Sequence, residues 1–128
     1  MTRSAGEGGD AEILARGVAR FNEAAYWEAH EAWEELWLRA EPELRRFVQG
    51  LIQLAAAWHH TARGNAAGAE RLFRSGLEKL GPYRPVHAGI DVADAAARAE
   101  EMLARGVDPR SALPRLGLVQ EPPAGRPT

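Results

Sequence analysis

The sequence predicts an all-α fold: a compact single-domain bundle of about five helices with an extended proline-rich C-terminal tail. Apolar residues recur at helical spacing in five segments that are separated by proline, glycine and capping residues, and no segment alternates as a strand does. The chain of 128 residues is long enough for one ordinary domain and too short for two. We predict a flexible leader over residues 1–9, the helical bundle domain over 10–106 and the extended tail over 107–128.

Start and stop signals place the first three helices. Asp10 is a good N-cap for the first helix. The second helix covers about 24–39 and contains most of the aromatic residues. A proline suits the first turn of a helix, so Pro42 opens the third helix, which extends to about residue 62 and is closed by Gly64.

Two further helices and the tail follow. Asn65 caps a fourth helix over about 66–80, and Asp91 caps a fifth over about 92–105. The prolines between them break the helix, so a long loop without strands is expected there. The tail is expected to pack three leucines before it frays: Leu113, Leu116 and Leu118.

Composition excludes several classes of function. The absence of cysteine rules out disulfides, thiolate metal sites and cysteine nucleophiles, and it suits a reducing interior. The net charge is −2 and Lys79 is the only lysine, so no basic surface for nucleic acid is expected. The longest apolar run, residues 47–58, is too short to span a membrane, and residues 1–10 lack the apolar region of a signal peptide. We therefore expect a cytoplasmic protein that contacts neither nucleic acid nor membrane.

The second helix contains the most informative segment. At about 100° per residue, His30 and Glu34 share one face with four aromatic residues: Tyr26, Trp27, Trp33 and Trp37. Polar groups in an apolar stripe need partners, because an unpaired buried carboxylate or imidazole costs several kcal/mol. We predict that Glu34 is buried and paired, and that Glu35 is exposed.

The third helix carries a second polar face. Small residues on that face, Gly50, Ala56 and Ala57, are expected to let the second helix approach closely. A short connection favours antiparallel packing of helices two and three. Their facing polar side chains would then converge into one pocket: His30, Glu34, Gln53 and His60, with Gln49 or Glu31 at its margin.

Three interpretations of this pocket remain open. The first is a satisfied polar network that fixes the register of the helices. The second is a site for zinc, manganese, iron or nickel with His30, Glu34 and His60 as metal ligands. The third is metal-free catalysis with Glu34 as base and His30 or His60 as acid. Further residues would bind a ligand in the pocket or line its mouth: Glu31, Gln49, Gln53, Trp27 and Trp37.

Separated motifs in this chain resemble a known family. They are Phe21-Asn22, Tyr26-Trp27-Glu28-Ala29-His30-Glu31-x-x-Glu34-x-x-Trp37, Gln49-Gly50-Leu51-Ile52-Gln53-Leu54-Ala55, His60, Gly64-Asn65-x-x-Gly68-Ala69 and Gly89-Ile90-Asp91. In this order and spacing they are similar to the bacterial and archaeal domain of unknown function 309 family, over about residues 10–105.

The resemblance implies a compact all-helical fold of intracellular proteins with no agreed activity. The family's motif falls on residues already singled out: His30, Glu31, Glu34, Gln49, Gln53 and His60. Ala24 departs from the family, which often has glycine there, so the shape of the turn between helices one and two is in question.

Two classes of function follow from the sequence. The first is a pocket between helices two and three that binds a small ligand or a divalent metal, with hydrolase-like activity as one expected outcome. The alternative is a non-catalytic interaction or oligomerisation module in which the polar cluster is structural. Apolar residues on one side of the fourth helix, if left uncovered, would favour a homodimer: Leu72, Phe73, Leu77 and Leu80.

Overall fold

The protein folds as a chain of antiparallel neighbours in which each helix packs on the next, so the predicted all-α bundle is confirmed. The computed structural model describes residues 5–108, 110 and 116–118, with side chains from residue 9 onward. The elements are α1 (Ala5–Asn22), α2 (Tyr26–Arg39), α3 (Pro42–Ala62), α4 (Ala66–Leu80), a 3-10 turn (Gly81–Tyr83), β1 (Val86–His87), β2 (Ile90–Asp91) and α5 (Val92–Arg105). None of these helices is long and apolar enough to cross a membrane.

The predicted helix boundaries hold best where a side chain caps the helix. Asn65 accepts a hydrogen bond from the backbone of Gly68 at 3.1 Å, and Asp91 accepts one from Asp94 at 3.0 Å. Pro42 occupies the first turn of α3, as expected. Helix α1 begins five residues before Asp10, so part of the predicted leader is helical.

The expectation of no strands is wrong. Strands β1 and β2 form a two-residue hairpin, which Ala88 and Gly89 close with positive φ angles of 51° and 78°. Positive φ at both central residues gives a turn whose twist matches that of the strands. The backbone of Asp91 also donates to the carbonyl of Gly117 at 2.9 Å. The hairpin therefore contacts the described stretch of the predicted tail at residues 117–118.

Asn22, at the end of α1, holds the same stretch from the other side. Its Oδ1 accepts from the backbone of Leu116 at 2.6 Å, and its Nδ2 donates to the Leu116 carbonyl at 3.2 Å. Leu116 is buried, as expected, whereas the side chain of Leu118 is exposed. Leu113 and most of the rest of the tail, like residues 1–4, lie outside the described residues.

Helices α1 and α2 are locked together by one tryptophan. The indole of Trp33 is fully buried and lies directly over Gly17, where any side chain would overlap the ring. Its Nε1 donates to the backbone carbonyl of Leu14 at 3.1 Å. The large apolar ring and its single donor are both satisfied by α1, so this contact fixes the rotation of α2 about its own axis.

Small residues also bring α3 and α4 together. A Cβ atom on Gly50 would come within 2.7 Å of Leu80, and one on Gly76 within 3.1 Å of Leu54. The expectation that Gly50 faces the second helix is therefore wrong, because α4 occupies that side of α3. Phe73 and Leu80 are fully buried, and Leu72 and Leu77 are partly buried against the core, so most of the apolar side of α4 is covered within the chain.

The backbone of the turn between α1 and α2 accounts for the glycine that the family often has where this chain has Ala24. Its φ is 64°, in the left-handed region where a Cβ atom costs about 1–2 kcal/mol. A glycine at this position would adopt the same conformation without that cost.

We predict that Gly17→Ala destabilises the protein by about 1–3 kcal/mol, because the added methyl group must displace the buried indole of Trp33. The loss is expected even though alanine favours a helix over glycine by about 1 kcal/mol. Chemical denaturation measures the effect. Gly81→Ala is the control, since nothing lies within 4 Å of its added methyl group. Equal stability of the two variants would show that Trp33 does not need the space over Gly17.

Candidate functional site

The buried face of α2 lies one residue earlier than the sequence suggested. Its buried members are Tyr26, Ala29, Ala32, Trp33 and Leu36. This face is rotated by roughly 100° from the predicted face of Trp27, His30, Glu34 and Trp37. The prediction rested on the tryptophans, whereas the observed buried face includes two small residues, Ala29 and Ala32.

The predicted burial of Glu34 is therefore wrong. Glu34 is exposed, as are Glu31 and Glu35. Glu35 pairs with Arg16 at 3.0 Å, and Glu34 makes no ion pair with any described residue. The exposure of Glu35 is as expected. The catalytic role given to Glu34 stays a prediction, but this carboxylate is in contact with solvent.

Four exposed residues of α2 form a single line along the helix, which we call the outer stripe: Trp27, Glu31, Glu34 and Leu38. They follow one another at intervals of four, three and four residues, so they share one face. Trp27 is 46% exposed and Leu38 is 70% exposed. Two large apolar side chains thus flank two carboxylates on the surface.

The start of α2 and the end of α3 bring together an aromatic and histidine cluster, which we call the Trp–His cluster: Trp27, His30, His59 and His60. The rings of Trp27 and His30 stack with centroids 4.6 Å apart and an angle of 6° between their planes. The ring centroid of His59 lies 5.3 Å from that of Trp27 and 5.9 Å from that of His60. The cluster orients the indole of Trp27 at the edge of the outer stripe.

The tautomer of His60 follows from its neighbour Asn65. The Oδ1 of Asn65 accepts from Gly68, so its amide nitrogen points to His60 Nδ1 at 3.1 Å. An amide nitrogen can only donate, and Nδ1 must therefore accept. His60 is held with its proton on Nε2, and its Nδ1 is occupied by the cap of α4.

His59 was not identified from the sequence as a member of the site, because on a single helix it points away from His60. Three further residues were not identified either: Leu38, Arg45 and Arg46. Burial and the nearby Arg63, His60 and His30 lower the pKa of His59 from the ordinary value. The signal that could have found His59 is the pairing of antiparallel helices, which sets the end of α3 beside the beginning of α2 at Trp27.

Three buried polar atoms lack a hydrogen-bond partner among the described residues: Tyr26 Oη, His30 Nδ1 and Gln53 Oε1. An unpaired buried group typically costs about 1–3 kcal/mol. Burial also raises the pKa of Tyr26 to about 12. Among the described residues, His30 and Gln53 therefore do not take part in a polar network in which every buried atom has a hydrogen-bond partner.

The three predicted metal ligands do not come together. Within residues 9–108, 110 and 116–118, no group of three or more histidine, aspartate or glutamate side chains is placed to hold a metal ion. Glu34 is on the outer stripe, and His60 Nδ1 is bonded to Asn65. His30, which belongs to the Trp–His cluster, and Gln53 are both half-buried.

Two predicted ligand-binding residues, Trp37 and Gln49, line a cleft at the opposite end of the α2–α3 pair. The α2–α3 cleft has a volume of about 260 Å³ and is lined by Trp37, Pro42, Arg45, Arg46 and Gln49. The guanidinium carbon of Arg45 lies 4.1 Å above the ring of Trp37. The predicted pocket residues are thus divided between two ends of the pair.

These features define a helical-bundle protein in which α2 exposes aromatic and acidic side chains to solvent. The model of a domain of unknown function, DUF309, matches residues 14–72. The resemblance inferred from the motifs is confirmed, over a shorter span than 10–105.

Two relatives are similar to this chain. The uncharacterized protein YpuF of Bacillus subtilis (strain 168) is 45% identical over 56 residues, which cover 43% of this chain and 32% of that protein. An uncharacterized protein of Aquifex aeolicus (strain VF5) is 28% identical over 95 residues, which cover 73% of this chain and 28% of that protein. The chain thus matches about a third or less of the length of each relative.

We predict that NMR titration finds the His59 pKa below the ordinary histidine value of about 6.5. Burial and neighbouring positive charge disfavour its protonated form, so the folded state takes up this proton less readily than the unfolded chain. The resulting stability is complete above pH 6.5 and is lost as the pH falls through 6.5 to the folded pKa. Arg63→Gln should raise the His59 pKa, and Arg71→Gln, which alters an exposed residue of α4, should not. A His59 pKa at or above 6.5 would contradict the assigned environment.

Proposed function

We propose that this protein is a non-catalytic interaction module whose outer stripe binds a basic amphipathic helix of a partner protein. The observation that carries the proposal is the exposure of Trp27 and Leu38 on one line with Glu31 and Glu34. Aromatic residues are enriched at protein–protein interfaces relative to the rest of the surface, so an exposed tryptophan in line with an exposed leucine favours this face as a binding surface. The partner class follows from the geometry and charge of the stripe.

The spacing of the stripe suits a helical partner. Trp27 and Leu38 are eleven residues apart, which corresponds to about 16 Å along a helix. A partner helix would place one apolar residue against each, about three turns apart. Lysine or arginine residues between these anchors would lie opposite Glu31 and Glu34. Complementary charge of this kind directs association and excludes acidic competitors.

Trp27 is held in place before any partner binds. Its indole stacks on His30 and contacts His59, so little side-chain freedom remains to be lost on association. Tryptophan is also among the residues that contribute most to binding energy at interfaces. A rigid, half-exposed indole is therefore a suitable central anchor.

The same stripe disfavours a second copy of this chain. A symmetric dimer would bring the stripe against itself and place Glu31 and Glu34 near their own copies. The homodimer expected from the sequence stays a prediction. Of the four α4 residues on which it rests, Phe73 and Leu80 are fully buried within the chain, and Leu72 and Leu77 are partly buried.

Selection of displayed random 16-residue peptides on the immobilised protein tests the proposal. Peptides that bind are expected to carry two apolar anchors at helical spacing with basic residues between them. Trp27→Ala should weaken their binding by roughly tenfold or more, as is usual for a tryptophan anchor. The double variant Glu31→Lys/Glu34→Lys should abolish it.

A matched double variant controls for charge. Glu12→Lys/Glu78→Lys makes the same change of charge at exposed positions of α1 and α4 and should leave binding intact. Circular dichroism checks that each variant is folded. Selected peptides that are acidic, or whose binding survives both Trp27→Ala and the reversal of Glu31 and Glu34, would refute the proposal.

A further inference from the structure

Arg45 is held in a fixed orientation at the α2–α3 cleft. Its Nε donates to the backbone carbonyl of Trp37 at 3.0 Å, and its guanidinium carbon lies 4.1 Å over the Trp37 ring. Both contacts leave the two terminal nitrogens without a hydrogen bond to any described residue. A planar guanidinium that is already oriented loses little entropy when these donors bind a ligand.

Within the described part of the chain, no carboxylate pairs with the positive charge in the cleft. Neither Arg45 nor Arg46 forms an ion pair with a carboxylate among the described residues. The nearest acidic residues in the sequence, Glu41 and Glu43, are exposed and do not contact these guanidinium groups. Most other described arginines lie within 4 Å of a carboxylate: Arg16, Arg20, Arg39, Arg84, Arg98, Arg105 and Arg110. Arg63, Arg71 and Arg74 form no such pair with a described residue either, but Arg45 and Arg46 differ from them in lining a cleft together.

Gln49 completes the set of donors. It is half-buried one helical turn after Arg45, on the same side of α3, and it lines the cleft together with Pro42 and both arginines. Its side-chain amide makes no hydrogen bond with a described residue, so it is available to a ligand. The volume of about 260 Å³ suits a small head group rather than a large cofactor.

We propose that the α2–α3 cleft binds the oxyanion group, phosphate or carboxylate, of a small molecule. The terminal nitrogens of Arg45 bind two oxygens of the anion, because a guanidinium fork matches their geometry. Arg46 adds a second positive charge, and Gln49 donates to a remaining oxygen. This site is separate from the outer stripe and does not depend on the interaction proposed for it.

Titration of the ¹⁵N-labelled protein with inorganic phosphate and, separately, with acetate tests this site at constant ionic strength. The indole signal of Trp37 and the side-chain amide of Gln49 should shift in a saturable manner. Saturation by phosphate alone identifies a phosphoryl ligand, and saturation by acetate alone identifies a carboxylate ligand. Saturation by both supports a site for either oxyanion.

Arg46→Gln is the informative variant, since Arg46 is exposed and its loss leaves the Arg45–Trp37 contact intact. It should weaken anion binding by roughly tenfold, as expected when a charged hydrogen-bond donor is removed. Arg74→Gln, on the exposed side of α4, makes the same change of charge and should leave binding unchanged. The proposal is overturned if neither anion shifts the Trp37 and Gln49 signals, or if the two variants behave alike.

Discussion

The indole of Trp33, seated over Gly17 and hydrogen-bonded to the Leu14 carbonyl, determines how α2 is rotated in the bundle. A helix presents every side chain at a fixed angle, so one such contact decides the environment of all the others. With Trp33 directed at α1, the buried line runs through Ala29 and Leu36. If α2 were turned about its axis by about 100°, the angle between successive residues, Glu34 would be buried instead.

This rotation gives α2 two different working surfaces. On the side toward α3 it stacks His30 under Trp27 and brings His59 alongside. On the side toward solvent it lines up Glu31 and Glu34 between apolar ends. The imidazole of His30 stacks on the exposed indole of Trp27 and so orients it. In the proposed interaction, the carboxylates would favour a basic partner at that tryptophan.

Local signals allowed most of the fold to be predicted. Asn65 and Asp91 cap helices because their side chains reach backbone donors three residues later, which is a rule of short range. Pro42 indicated the start of α3 because proline is favoured in the first turn of a helix, where its missing N–H group would have no partner within the helix. The hairpin was missed because two-residue strands carry too few residues for an alternating pattern.

Which residues form the candidate site depends on how α2 is rotated about its own axis. Rules based on residues that are close in the sequence do not determine that rotation. Of the three tryptophans of α2, only Trp33 lies on both the predicted and the observed buried face, because Trp27 is exposed and Trp37 is half-buried. The bulk of Trp27 and Trp37 therefore led the prediction to the wrong face. Ala29 and Ala32 mark the observed buried face, but the sequence alone does not show this, because small residues occur both on the surface and at close contacts between helices. Gly50 was misassigned for the same reason, since it could have faced either neighbour of α3.

Thiol labelling of single-cysteine variants tests the rotation of α2 most directly, because the chain has no cysteine of its own. In the folded protein, Glu34→Cys should react with a thiol reagent at nearly its rate in the urea-unfolded chain. Ala29→Cys should react slower than when unfolded by about 100-fold or more, since it must wait for the helix to open. Protection of a cysteine at position 34, with ready labelling at position 29, would contradict the account.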